Sequence, residues 1–142
     1  MRAMPMQPFD LAELVPQSEQ AGAADVSFTH ACQLIEAGPA FSIRDAGGRL
    51  VFTGGFVELP HESALVWSRL ATLTPREMVQ VTHMVRRVID AADYRRTTAH
   101  VRTGHAGGHG WLRRLGFRRE GTMRELEPGM DFDLYSRLKG ER

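Results

Sequence analysis

Three histidines in the last third of the chain are the side chains whose type and spacing most readily suggest chemistry. His105 and His109 lie four residues apart, so a helix would place both on one face, with His100 on the preceding segment. Two imidazoles at this spacing are typical of zinc sites. However, no cysteine lies nearby, the acidic residues are distant in sequence, and glycines interrupt that helix. We therefore predict no metal site.

The glycine-rich run over residues 104–110 suggests a second kind of chemistry, the binding of phosphate groups. Glycines let backbone N–H groups approach a phosphate closely. The spacing in this run matches neither the Walker nor the dinucleotide-binding pattern, and the run contains no lysine. We interpret it as a flexible loop beside a binding cleft.

Most of the positive charge lies in the C-terminal half of the chain. Residues 1–70 hold 4 basic and 8 acidic side chains, whereas residues 71–142 hold 14 basic and 9 acidic ones. An anion is therefore expected to bind to the second half. Its arginines would form a nucleic-acid patch only if they converged, and their aromatic neighbours Trp111 and Phe117 have the spacing of core residues. We expect solvated faces and no direct nucleic-acid function for Arg95, Arg96, Arg102, Arg113, Arg114, Arg118, Arg119 and Arg124.

Length and composition are those of one small globular domain, residues 1–142. Of the 142 residues, 42% are hydrophobic, which is enough to form a core without disulfides. The single cysteine, Cys32, excludes an internal disulfide and fits a reducing compartment. No segment reaches the roughly 20 apolar residues of a membrane span, and the start lacks a signal-peptide pattern. We expect a soluble cytoplasmic protein, bacterial in its preference for arginine over lysine, with no membrane partner.

The first part of the chain predicts two short helices. Residues 1–8, with two prolines and three methionines, are expected to be a flexible start. Phe9 to Val15 forms an amphipathic turn of helix. Val26 to Ala37 forms a second helix, capped by Asp25 or Ser27, and a polar linker joins the two helices.

From Ala40 onward the hydrophobic pattern changes to the alternation that is typical of strands. Residues 40–46 and 49–53 form a predicted hairpin. The second strand continues to Leu59, where Pro60 ends it, and Ala64 to Leu70 is a third strand. Gly54 and Gly55, within the second strand, indicate a bulge or a close backbone approach.

A long helix is the clearest signal after the third strand. Thr74, Pro75 and Glu77 form a capping-box pattern, and apolar residues then recur at three- and four-residue spacing up to Asp93. The remaining predicted elements are a strand over Thr97 to Thr103, a loop and short helix over Gly104 to Leu115, and strands over Phe117 to Met123 and Met130 to Leu138.

The end of the short helix has a distinctive pattern. Trp111, Leu112 and Leu115 share one helix face, Gly116 supplies a left-handed turn, and Phe117 begins a strand. This motif and the order of the elements resemble the GNAT superfamily of acyl-CoA-dependent N-acyltransferases, over roughly residues 40–138. The resemblance implies an α/β (α+β) domain with a mixed central sheet and helices on both faces.

A narrower resemblance is to the GNAT-like proteins of tailed phages and prophages. It is carried by Trp67, by the run from Trp111 to Gly121 and by the closing segment Tyr135-Ser136-Arg137. This resemblance implies either an acetyltransferase of unknown substrate or an internal virion protein.

The GNAT resemblance implies acetyl-CoA as a co-substrate. In these enzymes the pyrophosphate lies against N–H groups at the start of the long helix. Residues 70–76, the corresponding segment here, contain no glycine and include a proline, so a charged contact from Arg76 would take the place of a missing amide. The cofactor is expected where the third and fourth strands diverge. The expected contacts are Trp67, Ser68, Arg69, Arg76 and Thr103.

The same resemblance implies a general base that takes a proton from the acceptor amine. The candidates are Glu58, Glu62 and His100, and the alternative for the two carboxylates is a surface position at a strand end. The family often has a proton-donating tyrosine at the position of Leu112, and leucine cannot donate a proton.

The sequence leaves functions of different classes open. The first is an N-acyltransferase that moves the acetyl group of acetyl-CoA to an amine. The second is a non-catalytic GNAT-like module of a phage or prophage, in the host cytoplasm or the virion, with a virion protein as partner. A small regulator that binds an anionic partner is the third. The sequence identifies neither the acceptor nor the oligomeric state, so a homodimer stays open.

Overall fold

A seven-stranded sheet is the centre of the structure, a computed structural model that describes residues 1–17 and 25–141. The elements follow in the order β1 (Arg2–Pro5), α1 (Asp10–Glu13), α2 (Phe28–Ala37), β2 (Ala40–Arg44), β3 (Leu50–Leu59), β4 (Ser63–Leu70), α3 (Pro75–Ala91), β5 (Arg96–Arg102), α4 (Ala106–Arg114), β6 (Arg118–Glu127) and β7 (Met130–Leu138). The predicted α/β class with a mixed sheet is confirmed. Most of the predicted polar linker lies outside the described residues.

The sheet is antiparallel except at its centre. Its strands lie in the order β1-β2-β3-β4-β5-β7-β6, and β4 with β5 is the parallel pair. Two parallel strands need a crossover connection, which α3 provides. Only three residue pairs join β4 to β5, the last of them between Leu65 and Thr98. Beyond that pair the two strands separate and the sheet opens.

The larger hydrophobic cluster holds α3 and α4 on one face of the sheet. Val81 and Val85 of α3 and Leu112 of α4 are buried with Phe52 of β3 and Ala99 of β5. Each fully buried aliphatic or aromatic side chain of this kind contributes about 1.5–3 kcal/mol to folding. The apolar stripe predicted along the long helix therefore packs on the sheet as expected.

A smaller cluster holds α1 and α2 on the opposite face. Met6, Leu11 and Ala31 are buried there, and Trp67 of β4 packs against them. Ser27 caps α2 by accepting a hydrogen bond from the His30 N–H at 3.1 Å. In the described parts of the chain, no helix has the length and apolar character needed to cross a membrane.

The start of the chain differs from its prediction. Residues 1–8 are predicted to be flexible, but Arg2–Pro5 form β1, which pairs antiparallel with β2 from Arg2 opposite Arg44 to Pro5 opposite Phe41. Proline is tolerated there because β1 is an edge strand, where a missing N–H leaves no central ladder bond unmade. The segment lacks the branched residues that reveal strands from sequence, and its pairing with β2 decides its structure.

Gly54 and Gly55 lie at a close backbone approach, and β3 pairs regularly with β4 through both. A Cβ at Gly54 would lie 2.7 Å from the carbonyl oxygen of Trp67, and one at Gly55 would lie 2.5 Å from that of Pro39. The irregularity in register lies instead between Ile43 and Arg44 of β2. Of the two alternatives, the close approach is confirmed and the bulge at these glycines is wrong.

The end of α4 has the predicted left-handed turn. Gly116 adopts φ 92°, its N–H bonds to the carbonyl of Arg113, and the Phe117 N–H bonds to that of Leu112 at 3.0 Å. These two bonds form a Schellman motif. The indole N–H of Trp111 donates to the Thr82 hydroxyl at 2.9 Å, which ties α4 to α3.

Candidate active-site cleft

A cavity of about 670 Å³ fills the opening between β4 and β5. One wall is formed by residues 65–70 of β4 and the other by residues 99–102 of β5, while Gly107 and Gly108 of α4 line it from one side. The lining is mainly apolar, and we name this cavity the β4–β5 cleft. It is large enough for an extended small molecule and lies where the sheet offers no strand pairing.

Successive side chains of β4 point to opposite faces of the sheet. Val66 and Leu70 belong to the cluster beneath α3 and α4, whereas Trp67 packs on the α1–α2 side. Arg69 follows Trp67 by two residues and therefore shares its face. Along β4, the cleft is therefore lined by aliphatic side chains on the α3–α4 face of the sheet and by an indole and a guanidinium on the α1–α2 face.

Two buried N–H groups on the α1–α2 side have no acceptor in the described part of the chain. Arg69 is only 8% exposed and lines the cleft, and within the described residues its Nε has no hydrogen-bond partner. The same holds for Nε1 of Trp67. Burial lowers the pKa of the Arg69 guanidinium, because removal from water penalises its charged form. Buried polar groups normally have partners, so both donors call for a physical explanation.

His100 lies across the cleft from these residues. It belongs to β5, pairs with Leu134 of β7 and lines the cleft. Because Thr98 is opposite Leu65 in the register, His100 points to the same face as Trp67 and Arg69. Its ring remains accessible, yet the surrounding protein displaces enough water to lower its pKa. A neutral imidazole with a lowered pKa accepts a proton at neutral pH.

The two glutamates predicted as alternative bases lie away from the cleft. Glu58 is near the β3–β4 hairpin, where its carboxylate accepts a hydrogen bond from the Tyr94 hydroxyl at 2.7 Å. Burial, and then the bond to Glu58, raises the pKa of Tyr94 to about 12. Glu62 is in the hairpin turn, with φ 57°, and its carbonyl accepts from the Arg95 N–H at 2.6 Å. The structure does not bring either carboxylate to His100, because this end of the sheet is closed.

The start of α3 has few donors left for a phosphate. The Thr74 hydroxyl accepts from the Glu77 N–H at 3.2 Å, and the Glu77 carboxylate accepts from the Thr74 N–H at 2.9 Å, which confirms the predicted capping box. Pro75 has no N–H. Arg76 is exposed in the first turn, outside the residues that line the cleft. Only the Arg76 N–H of this turn is left, beside a carboxylate whose pKa the Thr74 backbone lowers.

Thr103, predicted to contact the cofactor, is engaged in a polar cluster at the end of β5. Its hydroxyl donates to Asp133 at 2.9 Å, and its carbonyl lies 3.0 Å from Nε2 of His109. Nε2 therefore carries a hydrogen, and in the neutral form of the ring Nδ1 accepts from the Tyr135 hydroxyl at 2.7 Å. The hydrogen bond from Arg119, followed by the others, lowers the pKa of Asp133 to about 2. Both nitrogens of His109 have partners, and the described residues contain no group of three side chains suited to a metal.

The glycine-rich run forms the start of a helix where a flexible loop is predicted. α4 begins at Ala106, and a Cβ on Gly108 would lie 2.6 Å from Val101 Cγ2. The glycines thus let α4 approach β5, and His105 before them lines the cleft. His105 is not among the side chains predicted from the sequence to act at the cleft. The dense glycines beside it were the available signal, since close approach is one use of glycine.

Several arginines of the second half are engaged in ion pairs. Arg96 pairs with Glu120 at 2.8 Å and Arg119 with Asp133 at 2.9 Å. The hydrogen bond from Arg96, followed by that from Ser136, lowers the pKa of Glu120 to about 2. Arg96 and Arg119, which the sequence predicts on solvated faces, are thus paired with carboxylates.

Comparisons with known proteins agree on the architecture. No model of a known protein family matches the chain, and no curated protein is similar to it in sequence. Among solved structures, ribosomal-protein-alanine N-acetyltransferase from Brucella melitensis is 13% identical, with a TM-score of 0.72 over 97% of this chain and 99% of that one. Ribosomal-protein-S5-alanine acetyltransferase from Vibrio fischeri is 15% identical, with a TM-score of 0.70 over 97% and 92%. A variant of spermidine N-acetyltransferase SpeG from Vibrio cholerae is 16% identical, with a TM-score of 0.68 over 98% and 95%.

Proposed function

We propose that this chain, which has the GNAT acyl-CoA N-acyltransferase fold, transfers the acetyl group of acetyl-CoA to an amine. One observation carries the proposal: the sheet opens between β4 and β5 into an apolar cleft that holds an accessible histidine of lowered pKa. The structural neighbours are N-acetyltransferases, which supports the same class of reaction. No neighbour defines the acceptor amine of this chain.

The cleft fits one part of acetyl-CoA better than another. Its apolar walls and the separated strands suit the narrow acyl and pantetheine portion. At the start of α3 the capping box uses the N–H groups of Thr74 and Glu77 and adds a carboxylate, so this turn does not suit the diphosphate. We therefore propose that the cleft binds the acyl-pantetheine portion of acetyl-CoA and that the start of α3 does not bind the diphosphate.

His100 is the residue that we assign as general base. A primary amine attacks a thioester only in its neutral form, and a neutral imidazole in the cleft can accept the proton that the nitrogen loses. A carbon–nitrogen bond forms while the carbon–sulfur bond breaks, and the thiolate leaves with the electron pair. Leu112, which is buried with 8% exposure, cannot donate a proton to the leaving thiolate. The apolar walls exclude water that would otherwise compete with the amine.

Binding and turnover test the proposal separately. Isothermal titration should detect binding of acetyl-CoA, and release of CoA thiol in the presence of a panel of amines should report transfer. His100→Gln should abolish most turnover while acetyl-CoA binding persists. His83→Gln, an exposed histidine on α3, is the matched control and should leave both unchanged. Absence of acetyl-CoA binding at millimolar concentration would refute the proposal.

A non-catalytic module that contacts a protein partner, such as a phage or virion protein, is the second candidate. The observation that favours it is the combination of the capped start of α3 with Leu112 in place of a proton donor. This candidate expects a folded chain that neither binds acetyl-CoA nor releases thiol. Acetyl transfer to any amine would exclude it.

A further inference from the structure

The guanidinium of Arg69, which meets no counter-charge in residues 1–17 and 25–141, is the feature of the cleft that the proposed reaction does not use. An arginine that is 8% exposed normally has a carboxylate or several carbonyl partners, because a buried charge without them is costly. Within the described residues Arg69 forms no ion pair, and its Nε has no acceptor. Trp67, two residues earlier on the same face, leaves its buried indole N–H equally unmatched. These two N–H donors, on residues that share one face of β4 and line the cleft, could both bind an anion.

The other charges of the cleft favour the same kind of ligand. Arg102, Arg114 and Arg69 line it, whereas Glu127 is its only acidic lining residue among those described. A bound anion would therefore meet a positive potential inside a largely apolar cavity, where electrostatic attraction is strong. The guanidinium fork suits a planar carboxylate, which can accept two parallel N–H bonds.

The direction of Arg69 separates this site from the diphosphate of acetyl-CoA. α3 packs on the face of the sheet that carries Val66 and Leu70, and Arg69 points to the opposite face. His100 points to that opposite face as well. A molecule held by Arg69 is therefore on the side of the cleft from which His100 would receive a proton.

We propose that the acceptor is an amine that also carries a carboxylate, and that Arg69 and Trp67 hold this carboxylate while the amine meets His100. The proposal rests on the proposed acetyltransferase function for the role of the amine. The anion site itself is independent of turnover. The site would bind an oxyanion. This oxyanion could be the carboxylate of the acceptor or a phosphate of acetyl-CoA, and the experiments below distinguish the two.

The two tryptophans provide a direct probe of the site. The chain contains Trp67 and Trp111, so a nitrogen–proton correlation spectrum should show two indole resonances. Trp67→Phe assigns them. Phenylacetate and phenylalanine should shift the Trp67 resonance, and phenylacetamide and 2-phenylethylamine, which lack the carboxylate, should not. The Trp111 resonance is the internal control, because its N–H is already bonded to Thr82.

Substitutions at Arg69 complete the test. Arg69→Gln should weaken phenylacetate binding by about tenfold to a hundredfold, and Arg69→Lys, which keeps the charge, should retain part of it. Arg87→Gln, an exposed arginine of α3 that does not line the cleft, is the matched control and should leave phenylacetate binding unchanged. In turnover, Arg69→Gln should raise KM for phenylalanine and leave KM for 2-phenylethylamine unchanged.

Each outcome bears on a different claim. Lack of any shift with carboxylates, or equal shifts with the amide, would overturn the anion site. If Arg69→Gln weakens acetyl-CoA but not acetyl-pantetheine, which has no phosphate, Arg69 serves the thioester substrate and the acceptor proposal is wrong. A carboxylate site in a protein that neither binds acetyl-CoA nor transfers acetyl groups would refute the proposed function and leave the site standing.

Discussion

The β4–β5 cleft and the start of α3 treat their polar groups in opposite ways. At the start of α3, Thr74 and Glu77 satisfy each other and Pro75 removes a further donor. In the cleft, the indole N–H of Trp67 and the Nε–H of Arg69 are buried and find no acceptor among the residues that the structure describes. The first arrangement stabilises a helix, and the second lowers stability in the absence of a ligand. The contrast favours the cleft as the functional site, because buried donors without an acceptor are rare and call for an explanation such as a ligand.

The largest expected effect comes from removing the proposed base from the cleft. His100→Gln should lower kcat by about a hundredfold to ten-thousandfold, the usual contribution of a general base. Glu77→Gln, at the start of α3, should have a much smaller effect on kcat. A comparable loss of kcat in this variant would show that the start of α3 is as important for turnover as the cleft. Steady-state kinetics of thiol release measure both.

The pH dependence of the wild type sharpens this expectation. Desolvation lowers the pKa of His100, so the neutral form prevails at pH values where an exposed histidine, with a pKa of about 6.5, is still half protonated. The rate should therefore rise with pH to a plateau through a midpoint below that value. His100→Gln should remove the rise, and a midpoint above the ordinary histidine range would contradict the assignment.

Opening the capped turn tests whether α3 blocks recognition of the diphosphate. The wild type should bind acetyl-CoA and acetyl-pantetheine with similar affinity. Replacement of Thr74 and Pro75 by glycine should cost about 1–2 kcal/mol in the free energy of unfolding, from loss of the cap. It should also increase the preference for acetyl-CoA, because backbone N–H groups become available. Denaturant unfolding and titration calorimetry measure the two effects, and a strong preference for acetyl-CoA in the wild type would break the comparison.

Removal of the Arg69 charge from the cleft is expected to increase the stability of the protein. Arg69→Met keeps much of the side-chain volume and removes a buried cation that has no partner in the described parts of the chain. It should therefore raise the free energy of unfolding by about 1 kcal/mol or more. Arg76→Met, at the exposed turn, should change it little. A clear loss of stability in Arg69→Met would show that the guanidinium has a partner in the folded chain.

The two tryptophans give the smallest expected difference. Trp111→Phe should cost about 1 kcal/mol for its lost hydrogen bond, in addition to lost packing, because Thr82 accepts from its indole N–H. Trp67→Phe removes an N–H for which the described residues provide no acceptor, so its cost should be limited to packing. Equal losses measured by thermal unfolding would argue against an unmatched donor in the cleft.

Local signals in the sequence predicted much of the fold. The capping box at Thr74, the left-handed turn at Gly116 and the final strand Met130–Leu138 each depend on neighbouring residues, and the structure confirms all three. β1 was missed because its partner β2 lies far along the chain and supplies the decisive contacts. The α4 start was misjudged because glycine there serves packing against Val101.

The site was harder to predict than the fold. Trp67, Ser68, Arg69 and His100 do line the cleft, but Thr103 and Arg76 do not. A sequence shows that a strand contains a charged residue without showing which face it occupies or whether a partner meets it. The missing acceptor of Arg69 is a property of the assembled fold, as is the placement of Glu58 and Glu62 at the closed end of the sheet.

Hydrogen–deuterium exchange in the presence of saturating acetyl-CoA tests whether the β4–β5 cleft is where the thioester binds. If the β4–β5 cleft is the site of acyl transfer, exchange should slow in residues 66–70 and 99–102 and at the start of α4, with no comparable change at the first turn of α3. Unchanged exchange throughout the chain, or protection confined to α3, would contradict the account.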